Sequence, residues 1–171
     1  MKILSRVPEK TGRLIWQQMP EIRKIKEDHS TTGMRRVAVS VFDHWLRDEV
    51  EWSQLDCFEG EERRERDRKL LAHWAAIFDL TPAYTVRYRG RWPRKARMVL
   101  KQYTCRDGFL RQSRCDQSKS PSQFLILPEL GCIYVAGWDD TNVLYFSDPD
   151  KAQPVLDLAV QCGLYVLSFD D

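Results

Sequence analysis

The 171-residue chain lacks any run of about 18 apolar residues, so no membrane-spanning helix is expected. Its first residues, Met1-Lys2-Ile3-Leu4-Ser5-Arg6, carry no apolar stretch of the kind a secretory signal needs, which points to a cytoplasmic protein. The five cysteines, Cys57, Cys105, Cys115, Cys132 and Cys162, form no Cys-x-x-Cys pair, and no histidine follows them at zinc-finger spacing. Reduced, structural thiols are expected, although the basic surroundings of Cys105 and Cys115 favour the thiolate. The three histidines, His29, His44 and His73, form no His-x-x-x-His pair and give no reason to expect a helix-borne metal. Glycine-rich phosphate loops and a Gly-x-Ser-x-Gly elbow are also missing. No cofactor and no catalytic residue is assigned, and the chain is read as not an enzyme.

What the sequence does have is sorted charge. From Ala83 to Asp116 there are ten bases against two acids, and from Gln117 to Asp171 there are two bases against eight acids. The whole-chain value of +2 hides both poles. Opposed poles mark surfaces where a charged partner docks or where the molecule meets itself. The basic candidates are Arg87, Arg89, Arg91, Arg94 and Arg97, interleaved with Tyr84, Tyr88, Trp92, Tyr103 and Phe109. Arginines for phosphates beside rings for stacking suit RNA or DNA, so a nucleic-acid surface over 84–114 is the alternative reading. The acidic candidates are Asp139, Asp140, Asp148 and Asp150. Asp139-Asp140 sits between two strands, where a hairpin turn already favours such residues.

The chain reads as one α+β domain over 1–171, mainly helical over 1–80, with strands and one helix over 83–171. N-terminal helices are expected to pack on a twisted, mostly antiparallel sheet with one covering helix near the C-terminus. Met19 to His29 is read as a short polar helix. From Met34, apolar residues at Val37, Ala38, Val41, Phe42, Trp45, Leu46 and Val50 predict an amphipathic helix ending near Trp52. Glu59 to Lys69 is nearly all charge, with acids and bases three and four apart, and predicts a solvated helix face. It leads into Leu70, Leu71, Trp74, Ile77 and Phe78, which would be buried. After Pro82 the pattern alternates. Strands are predicted over Tyr84–Arg89 and Ala96–Tyr103, strand–turn–strand over Cys105–Leu110, and a loop over Gln117–Ser122. Strands follow at Gln123–Leu127, Cys132–Ala136, Val143–Phe146 and Leu164–Phe169. Between the last two, Asp148 and Pro149 open a helix whose inner face is Val155, Leu156, Ala159 and Val160, closed by Gly163.

Four runs in this last third are Phe124-Leu125-Ile126-Leu127-Pro128-Glu129, Gly131-Cys132-Ile133-Tyr134, Trp138-Asp139-Asp140-Thr141-Asn142 and Gly163-Leu164-Tyr165-Val166-Leu167. Together they resemble small α+β immunity proteins of bacterial polymorphic-toxin and contact-dependent growth-inhibition systems. The resemblance covers about 45 residues. It implies a cytoplasmic, non-catalytic protein that neutralises one cognate protein toxin, often a nuclease, by covering its active site or partner surface. The chain departs from the nuclease-directed members, often acidic, in its pI near 8.3.

Overall fold

The computed structural model describes residues 2–27, 33–90, 97–113, 124–137 and 139–169. Eight strands form one antiparallel sheet: β1 (Leu4–Arg6), β2 (Arg35–Ser40), β3 (Tyr84–Arg89), β4 (Arg97–Tyr103), β5 (Phe124–Leu127), β6 (Cys132–Val135), β7 (Thr141–Phe146) and β8 (Tyr165–Ser168). Their order across the sheet is β1-β4-β3-β5-β6-β7-β2-β8, so segments from the start and end of the chain share one hydrogen-bonded surface. The helices are α1 (Glu9–Gln18), α2 (Glu21–Glu27), α3 (Glu49–Trp52), α4 (Gly60–Leu80), α5 (Arg106–Ser113) and α6 (Pro149–Gln161). The class is α+β, as expected.

Strand alternation sends side chains to two separate cores. Ile133 and Val135 of β6 join Ile15, Ile22 and Ile25 of α1 and α2, whereas Cys132 and Tyr134 join Trp74, Phe109 and Val155 of α4, α5 and α6. The sheet is therefore covered on both faces, which explains why β5 and β6 are apolar at every position. The second core is rich in rings: Phe109 lies 4.8 Å from Tyr103, 5.2 Å from Phe78 and 6.1 Å from Trp74.

A polar chain runs through this ring-rich core. Asn142 Nδ2 donates to Tyr134 Oη at 3.0 Å, that hydroxyl lies 3.2 Å from His73 Nδ1, and His73 Nε2 lies 3.1 Å from the Val155 carbonyl oxygen. One proton arrangement satisfies every member. Nε2–H donates to the carbonyl, and Nδ1 accepts from the tyrosine. His73 is thus a neutral tie between α4, α6, β6 and β7, and burial pushes its pKa down to about 4.

Several expected elements take a different form. The helix expected over 34–52 is instead strand β2, a loop, and the short α3. Val37, Val39 and Val41 alternate and are β-branched, and Ala38 and Val39 are fully buried between two covered faces. A strand buried on both sides shows apolar residues at consecutive positions, which imitates helical spacing. The strand–turn–strand expected at 105–110 is α5. Cys105 Sγ accepts the Gly108 backbone N–H at 3.4 Å, and a Cβ on Gly108 would lie 2.5 Å from Ile3 Cγ1, so this glycine serves packing against the β1 end. The segment before Met19, read without structure, holds β1 and α1. In α6, Asp148 accepts the Asp150 N–H at 3.0 Å and Gly163 closes with φ +78°, as expected, but Val160 faces outward and Ala152 takes the inner position. The loop expected at Gln117–Ser122 lies outside the described residues.

The histidine tie gives a pH signature. In the unfolded chain His73 titrates near 6.5, and in the folded protein near 4. Between those values the unfolded state binds the extra proton, so stability is lost as pH falls through that window and is complete above it. The loss attributable to this side chain is about 3 kcal/mol at its limit. Urea unfolding at pH 7.5 and pH 4.5 should show a smaller acid loss in His73→Gln than in the parent; equal losses would contradict the assignment.

Candidate functional site

Between β2 and α4 the chain leaves the sheet for residues 41–59, and this excursion encloses a cavity of about 330 Å³. Its walls are Phe42, Trp45, Leu46, Trp52 and Leu55, completed by His44, by Asp139 and Thr141 of the β6–β7 turn, and by Leu167 of β8.

What holds the excursion is a buried ion cluster. The α4 guanidinium of Arg63 makes two 2.8 Å bonds to the two carboxylate oxygens of Asp140, and Arg66 reaches the same carboxylate at 3.3 Å. Arg66 also donates to the Gln54 carbonyl at 2.8 Å, pairs with Glu62, and lies 4.8 Å over the Phe42 ring. Arg63 pairs further with Asp67 at 2.6 Å. Asp140 sits at φ +57°, a left-handed conformation that aspartate tolerates better than most residues, and its backbone oxygen accepts the Val41 N–H at 3.3 Å. The turn is tight at Gly137, where a Cβ would collide with the Thr141 carbonyl oxygen. Asp140 therefore ties α4 to the β6–β7 turn through its carboxylate, to Val41 through its backbone oxygen, and to Gln54 by way of Arg66.

The rings are fixed individually. Trp45 Nε1 donates to the Ser168 carbonyl at 2.7 Å while its ring packs 5.0 Å from Phe169. Trp52 Nε1 donates to the Leu46 carbonyl at 3.1 Å. Ser40 Oγ accepts the Phe42 N–H at 3.1 Å and lies 2.8 Å from Thr141 Oγ1. The cavity is thus a preformed apolar box with its polar tips already engaged.

Two titratable groups line it. His44 Nδ1 lies 2.5 Å from Asp43 Oδ1, and its Nε2 lies 3.4 Å from Glu51 Oε1. The hydrogen bond to Asp43 raises its pKa, with Glu51 adding to the effect. Carboxylates at both ring nitrogens favour the protonated ring, and with both nitrogens engaged it is not a poised general base. Asp139 has no ion pair among the described residues; burial raises its carboxyl above the ordinary value, hydrogen bonds from the Asp139 and Thr141 backbone N–H groups partly oppose this, and neighbouring Asp140 adds to the rise.

The acidic set expected at the surface is divided. Asp140, read as a partner contact, is 9% exposed and engaged within the molecule, because two guanidiniums from α4 require it. Asp148 caps α6, Asp150 is exposed in its first turn, and Asp139 lines the cavity. Arg63 and Arg66 correct the reading of the charged run as a solvated face, since both are buried. Of the basic set, Arg87, Arg89 and Arg97 are exposed, while Arg91 and Arg94 lie outside the described residues. The register Arg89↔Arg97 and Thr85↔Lys101 places Arg87, Arg89, Arg97 and Lys101 on one face of β3 and β4, with Tyr84 and Tyr88 on the other. Tyr103 and Phe109 belong to the core. His44 and His73 do not form a common site, one at the cavity and the other in the ring-rich core. Cys132 is buried with its thiol pushed up to about 12, the opposite of a reactive thiolate. Among the described residues no three potential ligands gather to hold a metal, and no helix is long and apolar enough to cross a membrane.

The cavity itself escaped sequence reasoning, because its rings come from a segment that imitates a helix. The usable signal was composition: residues 41–58 hold Asp43, Asp48, Glu49, Glu51 and Asp56 against one basic residue, Arg47, together with Trp45 and Trp52. Compared with protein-family models, curated proteins and solved structures, the chain matches none.

The ion cluster makes a firm stability prediction. Asp140→Asn keeps the shape and the tolerance of positive φ but leaves two buried guanidiniums short of their shared carboxylate. Urea unfolding should register a loss of about 3 kcal/mol or more. A loss under about 1 kcal/mol would contradict a cluster that organises this end of the fold.

Proposed function

We propose that this chain is a non-catalytic protein-binding module, an immunity protein that neutralises a cognate bacterial toxin in the cytoplasm by covering it. The observation that carries the reading is the aromatic-walled cavity and its apolar surround. Val50, Trp52 and Phe58 on the excursion are 80%, 50% and 66% exposed. Tyr165, which pairs with Ser40 in the neighbouring strands, is 45% exposed. Large apolar side chains cost free energy in water, and tryptophan anchors beside a rigid pocket are the typical centre of a protein interface. The acids of residues 41–58 supply the charge that selects a basic partner and speeds encounter. Asp150 and the exposed end of α6 remain candidates for the rim, where charge affects encounter more than affinity.

A second reading rests on the basic stripe. Arg87, Arg89, Arg97 and Lys101 share one face of β3 and β4, a row that suits phosphates of RNA or DNA. Tyr88 lies on the opposite face of the same strand, so phosphate contact and base stacking are not combined there.

One set of titrations separates the two. Against a purified candidate toxin that binds the wild-type chain, Trp52→Ala should weaken binding by about 30-fold or more, and the double charge reversal Arg87→Glu, Arg89→Glu should change it far less. If Trp52→Ala leaves affinity unchanged, the cavity is not the docking face. If mixed oligonucleotides bind with an affinity that falls linearly in log salt, and the double reversal abolishes it, the nucleic-acid reading replaces the first.

A further inference from the structure

The cavity has a chemistry more specific than that of an apolar anchor site. It is walled by Phe42, Trp45 and Trp52, and its lining holds one half-buried carboxylate, Asp139, which accepts hydrogen bonds from the Asp139 and Thr141 backbone N–H groups but has no cationic partner among the described residues. The excursion that builds it, residues 41–59, carries six acids against one basic residue. Aromatic faces present negative charge, and a desolvated carboxylate beside them wants a cation. The volume, about 330 Å³, sits at the small end of the ligand-pocket range of about 300–1,000 Å³ and suits one side chain, not a large cofactor.

We propose that the cavity receives an arginine side chain of the partner protein, stacked on the tryptophan walls and paired with Asp139. This rests on the protein-binding reading above and names the residue type on the other side. Arginine fits better than lysine for two reasons. Its planar guanidinium stacks on rings and is shed from water more cheaply than an ammonium, and its fork pairs with a carboxylate through two bonds. The same corner of the molecule already uses this packing: the Arg66 guanidinium lies 4.8 Å over Phe42, and that of Arg36 lies 4.3 Å over Phe169, the ring beside Trp45. Those two guanidiniums are supplied from within, one over the Phe42 wall and one over the ring beside Trp45; the guest takes the space the walls enclose. The positive charges of Arg63 and Arg66 are paired by Asp140, Asp67 and Glu62, and the His44 ring in the lining has Asp43 and Glu51 against its two nitrogens.

The site can be tested without the partner. N-acetyl-argininamide is titrated into the wild-type chain, with the tryptophan indole N–H signals as readout, beside N-acetyl-citrullinamide, its neutral isostere. The arginine probe should give a saturable shift of the Trp45 and Trp52 signals and bind at least about tenfold more tightly than citrulline. Asp139→Asn should reduce that preference to near unity while a far-ultraviolet spectrum shows the fold intact. The comparison of the two probes on wild type stands even if the variant fails to fold. No saturable shift with the arginine probe, or equal binding of the two probes, overturns the assignment. If the arginine probe fails while Trp52→Ala still weakens the toxin, this inference falls and the protein-binding reading stands. If the probe binds but Trp52→Ala leaves the toxin unaffected, the guanidinium site stands and the toxin-docking reading falls.

Discussion

The carboxylate of Asp140, shared between the Arg63 and Arg66 guanidiniums, is the contact on which the cavity end of this molecule depends. A buried ion pair adds little net stability compared with apolar packing, because desolvation offsets its attraction. What it adds here is position. A hydrophobic contact tolerates sliding, whereas a fork of two bonds to a carboxylate at φ +57° fixes direction. Through Arg66 the constraint passes to the Gln54 carbonyl and the Phe42 ring. An excursion with little apolar burial of its own is thereby held against the sheet.

Around that anchor the fold separates its tasks. The two cores on opposite faces of the sheet supply stability, and the His73–Tyr134–Asn142 chain fixes how α4 and α6 sit on β6 and β7. The charged surfaces lie at different ends of the strand order. The arginine stripe is on β3 and β4, on the face that α4 and α5 share. The cavity is beside β2, β7 and β8, where Thr141 and Leu167 belong to the opposite face. A partner approaching one surface does not obstruct the other, and each carries its own charge sign.

Much of this architecture was legible in the chain, and the failures have physical causes. Single-sided elements announced themselves: α4 by its apolar second half, β3 by the alternation from Tyr84 to Arg89, and α6 by Asp148, Pro149 and Gly163. Of the elements buried on both sides, β5 and β6 were marked by the turn residues that bound them, and β2 was not. β2 has no polar face to mark its period, and counting Val37, Val41 and Trp45 while passing over Val39 makes a strand resemble a helix. α5 was concealed by Asp107-Gly108, a turn signal that here exists to admit Ile3. At the site, Asp139-Asp140 drew notice for the right segment and an incomplete reason. The two aspartates part company, one lining the cavity and the other buried under arginines 77 and 74 residues away in sequence, a pairing no local pattern encodes.

The proposed docking face is the aromatic, acidic cavity. Hydrogen exchange of the chain alone and in complex with a toxin found to bind it measures this directly. Protection should concentrate in residues 42–55, 139–141 and 165–167, with β3 and β4 exchanging as in the free protein. Protection centred on residues 84–89 and 97–113, with the cavity segments unchanged, would contradict it.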